Sequence, residues 1–162
     1  QKSEEWQTSY INLVSEPMMD PVSLREESEM NRQKAAFEHH LKLTARARED
    51  FLRMTVVMKE RLEEAGAGKA MMTSIIRGIA DSQSRQQAVF EKLTQAHTDY
   101  CNNAITALTL LKTESGKWEV QDGKAIMDGT LREDLLSHLE QLDKTFALIQ
   151  ELSDKLRLLA MP

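Results

Sequence analysis

The sequence predicts an all-α fold, an elongated antiparallel helical bundle with a small β-hairpin before its last helix. Three observations lead there. All three prolines lie at the ends (Pro17, Pro21, Pro162), so residues 22–161 contain none, and a long stretch without this helix breaker is the natural material of long helices. Apolar residues recur through most of that stretch at spacings of three and four, the period of one helix face. A single segment, about 117–128, has strand character instead. At 162 residues, 41% apolar and 29% charged, the chain fits one folded domain, 1–162.

The first helix is expected over about 4–16, where Trp6, Tyr10, Leu13 and Val14 share a face with Ile11 beside them and Pro17 stops the run. Asp20-Pro21 reads as an N-cap followed by proline in the first turn, and Ser23-Leu-Arg-Glu26 offers a capping box one turn later. The second helix, 22–65, marks its inner side with Met30, Phe37, Leu41, Phe51, Leu52, Met58 and Leu62. Gly66-Ala67-Gly68 then gives a tight turn. The third helix, 69–113, carries a coiled-coil-like seam of Phe90, Leu93, His97, Tyr100, Ala104, Ala107 and Leu111. Gly78 lies inside it and weakens it by about 1 kcal/mol relative to Ala. In the hairpin, Asp122-Gly123 signals a type I′ turn flanked by Trp118, Val120 and Ile126, with Trp118 packing down on the bundle end. Thr130-Leu-Arg-Glu133 reads as a capping box for the last helix, 131–160, whose stripe runs Leu135, Leu139, Leu142, Phe146, Ile149, Leu152, Leu156, Leu159.

Lengths then set the arrangement. Two long helices joined by a three-residue turn lie antiparallel, and the shorter last helix runs back beside them. It should end about 20 Å short of the Gly66–Gly68 tip at 1.5 Å per residue. The first helix is placed at the opposite end, giving a four-helix base, a three-helix middle and a two-helix tip. That tip carries Met54, Val56, Val57, Met58, Met71, Met72, Ile75, Ile76 and Ile79. A two-helix hairpin buries one stripe per helix, and this set spreads over more. Either some of these side chains meet a partner or a second copy, for which flexible Met is well suited, or the last helix is displaced toward the tip, or these residues fill a loose core.

Other chemistry is sparse. A net charge of −5 argues against nucleic-acid binding. No apolar run reaches the roughly 18 residues of a membrane span. Cys101, the only cysteine, permits no internal disulfide and reads as a small core residue. Gly66-Ala67-Gly68-Lys69 lacks the preceding strand of a phosphate loop. His39 and His40 point about 100° apart, which is wrong for a same-face helix metal pair. Folding about residue 67 puts His97 level with Ala36–His40, where a polar layer is the simplest reading; His138 belongs on the surface. The charged runs at 46–50 and 59–64 are solvated faces. The polar run 81–87 is either a register-fixing layer or an opening where the last helix stops. No acid–base pair or nucleophile stands out, so no catalytic residue, cofactor or metal is expected.

The opening Lys2-Ser-Glu-Glu-Trp-Gln-Thr-Ser-Tyr10-Ile11-Asn-Leu13, with Trp118-Glu-Val and Asp122-Gly-Lys-Ala-Ile126 before a Leu-rich helix, resembles a family of uncharacterised Gram-negative envelope lipoproteins of unknown function. The resemblance covers mainly the first 14 residues and about 100–142. It implies a periplasmic protein, Gln1 following a removed lipid anchor that would be its only tie to the membrane; cytoplasm is the alternative. The resulting expectation is a non-enzymatic scaffold that meets a protein partner or a second copy through Met54, Val57, Met58, Met71, Met72, Ile75 and Ile76. The alternative is a ligand-binding, sensor-like bundle holding a small molecule near Gln83, Gln86 and His97.

Overall fold

The computed structural model describes residues 2–15, 19, 20 and 22–160. Gln1, Glu16, Pro17, Pro21, Met161 and Pro162, on which some of the expected helix ends and the processing site fall, lie outside them. The elements are α1 (Lys2–Ser15), α2 (Glu27–Glu64), α3 (Lys69–Thr113), β1 (Trp118–Gln121), β2 (Lys124–Met127) and α4 (Gly129–Ala160). This is the all-α bundle with one hairpin that the sequence predicts.

The start of α2 differs from expectation. Asp20 does cap, accepting bonds from the Ser23 hydroxyl (2.7 Å) and the Ser23 and Val22 amides. What it caps is a single 3-10 turn, Ser23–Arg25. Glu26 is extended (φ −87°, ψ 121°), so the chain restarts as α2 at Glu27, and Ser23 is spent on Asp20 rather than on a capping box. At the other end the Gly66 turn is a Schellman motif: Ala67 N–H donates to Leu62 O and Gly66 N–H to Glu63 O, both 3.0 Å. Gly66 has φ +68°, which glycine adopts without a Cβ penalty.

The hairpin turn is type I′, with φ +50° at Asp122 and +72° at Gly123. Trp118 pairs with Met127 and Val120 with Ala125, so these four share the inner face. Ile126 pairs with Glu119 on the outer face and is exposed, because strand side chains alternate. Trp118 does pack down: its indole N–H donates to Leu111 O at 2.9 Å. The last helix begins two residues earlier than expected. Asp128 caps it, accepting the Thr130 amide at 2.9 Å, in place of the Thr130 box.

Helix α3 packs against α2 on one side and α4 on the other, and α1 lies on α2. Tyr10 and Phe146 rings meet across the remaining gap, so α1 closes a four-helix ring. The core has two parts. A base cluster holds Leu13, Phe37, Cys101, Leu108 and Leu135, and a middle cluster holds Trp6, Leu43, Phe90, Leu93, Ile149 and Leu152. Since Leu13 sits in the first and Trp6 in the second, α1 climbs about 20 Å from base to middle. The expected three-helix middle is therefore four-helix. Within α2 the inner face also differs. Gln33, His40, Leu43 and Thr44 are buried, and Leu52 turns outward. Leu52 lies one position past Phe51, about 100° round the helix from the inner stripe. Similarly, Val14 and Ile11 are exposed on α1.

Gly78 has open space around its absent Cβ. Gly78→Ala is expected to stabilise the protein by about 1 kcal/mol, raising the thermal midpoint by about 2–4 °C for a chain of this size. A lower midpoint by differential scanning calorimetry would contradict this.

Candidate functional site

The tip starts where α1 and α4 stop. Leu156, Arg157 and Ala160 of α4 and Trp6 and Gln7 of α1 border one cleft with Gln86 of α3, so both helices end at that level. Beyond it, among the described residues, α2 and α3 continue by themselves for about 20 Å. Gln83 clamps them at the boundary: its side-chain amide donates to Phe51 O (2.7 Å) and its carbonyl accepts from the Thr55 hydroxyl (2.7 Å). The polar run 81–87 is thus a register device at the mouth of the bundle. An amide held by two partners fixes one register, whereas apolar contacts alone tolerate sliding.

Of the described residues, none from 45 to 88 is buried. The proposed contact residues Met54, Val57, Met58, Met72 and Ile76 are half-buried, and Met71 (61%) and Ile75 (36%) are exposed. Helical spacing sorts them. Met54 lines a hollow with Trp6, Leu43 and Phe51, which puts it on the face that α1 covers lower down; Val57 and Met58 follow it up that face. On α3, Gln86 and Leu93 line the cleft beside α4, and steps of three and four from Gln86 lead through Ser82, Ile79, Ile75 and Met71. These residues form one front face, apolar except for exposed Arg61, which follows Val57 by four positions. Ile76 belongs to the seam between α2 and α3, and Met72, three residues before Ile75 and four before Ile76, lies at the edge of the front face toward that seam. Leu52, by contrast, lines a groove of about 750 Å³ behind the hairpin, and exposed Val56, one turn on, shares its side.

Below the tip lies a polar centre inside the four-helix part. His40 Nε2 and His97 Nδ1 are 2.9 Å apart, and His40 Nδ1 is 3.1 Å from the Ser9 hydroxyl. Trp6 stacks on His40 and leans on His97, while its N–H donates to the Thr44 hydroxyl, which donates in turn to His40 O. Burial holds both imidazoles neutral, down to about 4 for His40 and about 3 for His97, with the neighbouring His39 and His40 charges adding to it respectively. The sequence foresees this level pairing; it gives no sign of Ser9. The Tyr10 hydroxyl is buried and has no hydrogen-bond partner among the described residues; burial raises its pKa. Cys101 is fully buried, and its thiol is pushed up to about 12 by that burial, which suits a core residue. His138 is not a free surface group: its ring Nδ1 and the Asn103 side-chain oxygen lie 2.6 Å apart, while the Asn103 amide donates to His138 O.

A cleft of about 340 Å³ opens between α1, α3 and α4, lined by Trp6, Gln86, Leu93, His97, Leu156 and Arg157 among others. Gln86 and His97 both line it, whereas Gln83 is turned to α2. No group of three or more His, Cys, Asp or Glu side chains among the described residues is arranged to hold a metal ion. No described helix is long and apolar enough to cross a membrane. No protein-family model, curated protein or solved structure matches the chain.

Proposed function

We propose that this chain is a non-enzymatic interaction protein of the bacterial cell envelope, a scaffold that docks a protein partner on the front face of its hairpin tip. The observation that carries the reading is the burial pattern: the tip is rich in Met, Val and Ile, yet none of its side chains is buried by α2 and α3 alone. Contiguous apolar surface of that kind marks interaction sites, and unbranched Met side chains repack readily against a partner. The envelope placement is supported by the resemblance of residues 2–13 and 118–126 to envelope lipoproteins.

The test is Met58→Glu combined with Met72→Glu. Two charges on this face are expected to weaken association or partner capture at least about tenfold, since each stranded charge costs more than the roughly 1.4 kcal/mol of one decade. Helix content by circular dichroism should stay within error. Unchanged association state and unchanged pull-down partners, with the fold intact, would sink the reading.

A second reading is favoured by the cleft. His97 is 3% exposed and lines it, and its Nδ1 is committed to His40. Its other ring nitrogen is left for a small molecule with an apolar body against Leu93 and Leu156. Thermal shift against a metabolite panel tests this: a ligand that binds the folded state alone raises the midpoint. No shift across a broad panel would count against it.

A further inference from the structure

Resting on the ligand reading of the cleft above, we propose that the cleft between α1, α3 and α4 takes an elongated organic acid. Its carboxylate sits at Arg157, its apolar body lies between Leu93 and Leu156, and a neutral hydroxyl at its far end meets the outer ring nitrogen of His97.

The His97 end is held in one pose. His97 Nδ1 lies 2.9 Å from His40 Nε2, so its own Nε2, across the ring, points away from α2 and into the cleft that His97 lines. Trp6 and Tyr10 fix the ring there, at centroid distances of 4.8 and 4.6 Å. A neutral imidazole has one donor and one acceptor nitrogen. His40 engages both of its nitrogens, with His97 and with the Ser9 hydroxyl, so the hydrogen-bond chain from Ser9 to His97 can run in either sense. The cleft nitrogen then presents an N–H or a lone pair. A hydroxyl both donates and accepts, and satisfies either one. Burial keeps this ring neutral, so this end needs no charged partner.

The charge belongs at the other end. Among the described residues Arg157 is the one permanently charged side chain lining the cleft, and no Asp or Glu lines it. Arg157 does meet Asp154 at 3.4 Å, but both are exposed, and an exposed pair of this kind is held weakly. A carboxylate offers two oxygens to the guanidinium fork and competes well for it.

Length selects within the class. Asn103 donates to His138 O, so counting along antiparallel α3 and α4 puts His97 level with Lys144. Arg157 lies 13 residues past Lys144, about 20 Å farther toward the tip. Helical side chains lean toward their own N-terminus, so His97 leans toward the tip and Arg157 toward the base. Roughly 10 Å is then left between the two polar ends of a ligand. Extended para-hydroxyphenylpropionate matches that span, and a cavity of about 340 Å³ is of small-molecule size.

The experiment is isothermal titration calorimetry of the chain with para-hydroxyphenylacetate, para-hydroxyphenylpropionate and para-hydroxyphenylbutyrate, the amide of the propionate, and phenylpropionate. We expect the hydroxyphenylpropionate to bind best, its amide about tenfold more weakly and phenylpropionate about fivefold more weakly. Arg157→Gln, on an exposed side chain, should remove the advantage of the acid and leave the amide unchanged. Asp154→Asn should tighten the acid about twofold. Leu156→Trp, with helix content unchanged by circular dichroism, should block every compound. Acids that bind no better than the amide, or that ignore Arg157→Gln or Leu156→Trp, overturn the proposal. If no acid of the series binds while a neutral or cationic metabolite does, and Leu156→Trp blocks it, the proposal falls and the cleft reading survives. If no compound of any charge binds, both fall.

Discussion

Trp6→Ala is expected to remove about 3–5 kcal/mol of stability and to detach α1 while leaving the other helices in place. Trp6 is 8% exposed, stacks on His40, meets Phe90 edge-on and donates its N–H to Thr44. Truncation leaves a cavity beside Leu43, Phe90 and Ile149, and it uncovers the neutral histidine pair to water. Helix α1 has only 14 residues, a length that is marginal without tertiary support. Its inward anchors are Trp6, Tyr10 and Leu13 alone, since Ile11 and Val14 face solvent. Losing the largest of three anchors should therefore open α1 before the rest unfolds. Urea denaturation followed by circular dichroism reads the global loss, and hydrogen exchange of residues 2–15 reads the local one. Trp6→Phe keeps most of the apolar fill and gives up the hydrogen bond, so it should cost only about 1–2 kcal/mol. Equal losses for the two variants would show that packing around the indole is not what holds α1.

The helices and their order were legible because their signals are local. Absence of proline, three-and-four spacing and the Gly66–Gly68 and Asp122-Gly123 turns each act over a few residues. The tip was legible for the same reason: the apolar set is too broad for a two-helix seam. Three things were not. The inner face of α2 carries Gln33, His40 and Thr44, which a search for apolar residues passes over, although Gln33 sits three residues from Met30, His40 three from Phe37 and Thr44 four from His40. The height of α1 was missed, since no sequence spacing says that Trp6 hydrogen-bonds a residue 38 positions away. The caps shifted because Asp20, which the sequence does offer as a cap, and Asp128 compete for the same turns as the Ser23 and Thr130 boxes, and a carboxylate two or three residues upstream takes the free amides. These are tertiary or competitive choices. They also explain the ring of four helices in the middle, which brings Trp6 and Gln7 of α1 level with Arg157 and Ala160 of α4.

Mild acid should destabilise this protein well above the range in which carboxylates titrate. His40 and His97 are held neutral by burial, with pKa values lowered from 6.5 to about 4 and about 3. An unfolded chain takes up protons on both as pH falls through about 6.5, while the folded chain refuses them until near 4, so the unfolded state binds more protons throughout that window. Stability is thus complete above about pH 6.5 and is lost as pH falls toward 4. At about 1.4 kcal/mol per pH unit per group, the loss by pH 5 is roughly 2 kcal/mol for each histidine. Carboxylates act elsewhere: Glu29 is held down to about 2 by Arg32 and Gln33, so its contribution goes only at lower pH. The groups in hydrogen-bond or ring contact around the pair are Ser9, Trp6 and Tyr10 from α1 and Thr44 from α2, and the cationic Arg157 of α4 lines the cleft with His97; none of them is an acid that would retain a proton on the imidazoles. Because three of the four come from α1, proton entry and α1 release should be one event, and exchange at residues 2–15 should rise with the loss of stability. Urea midpoints at pH 7 and pH 5 measure the first, and hydrogen exchange the second. His97→Leu should remove about half of the pH dependence. A midpoint that is flat or higher at pH 5 would mean that the pair accepts a proton in the folded state, and that the four-helix centre is wetter than its packing implies.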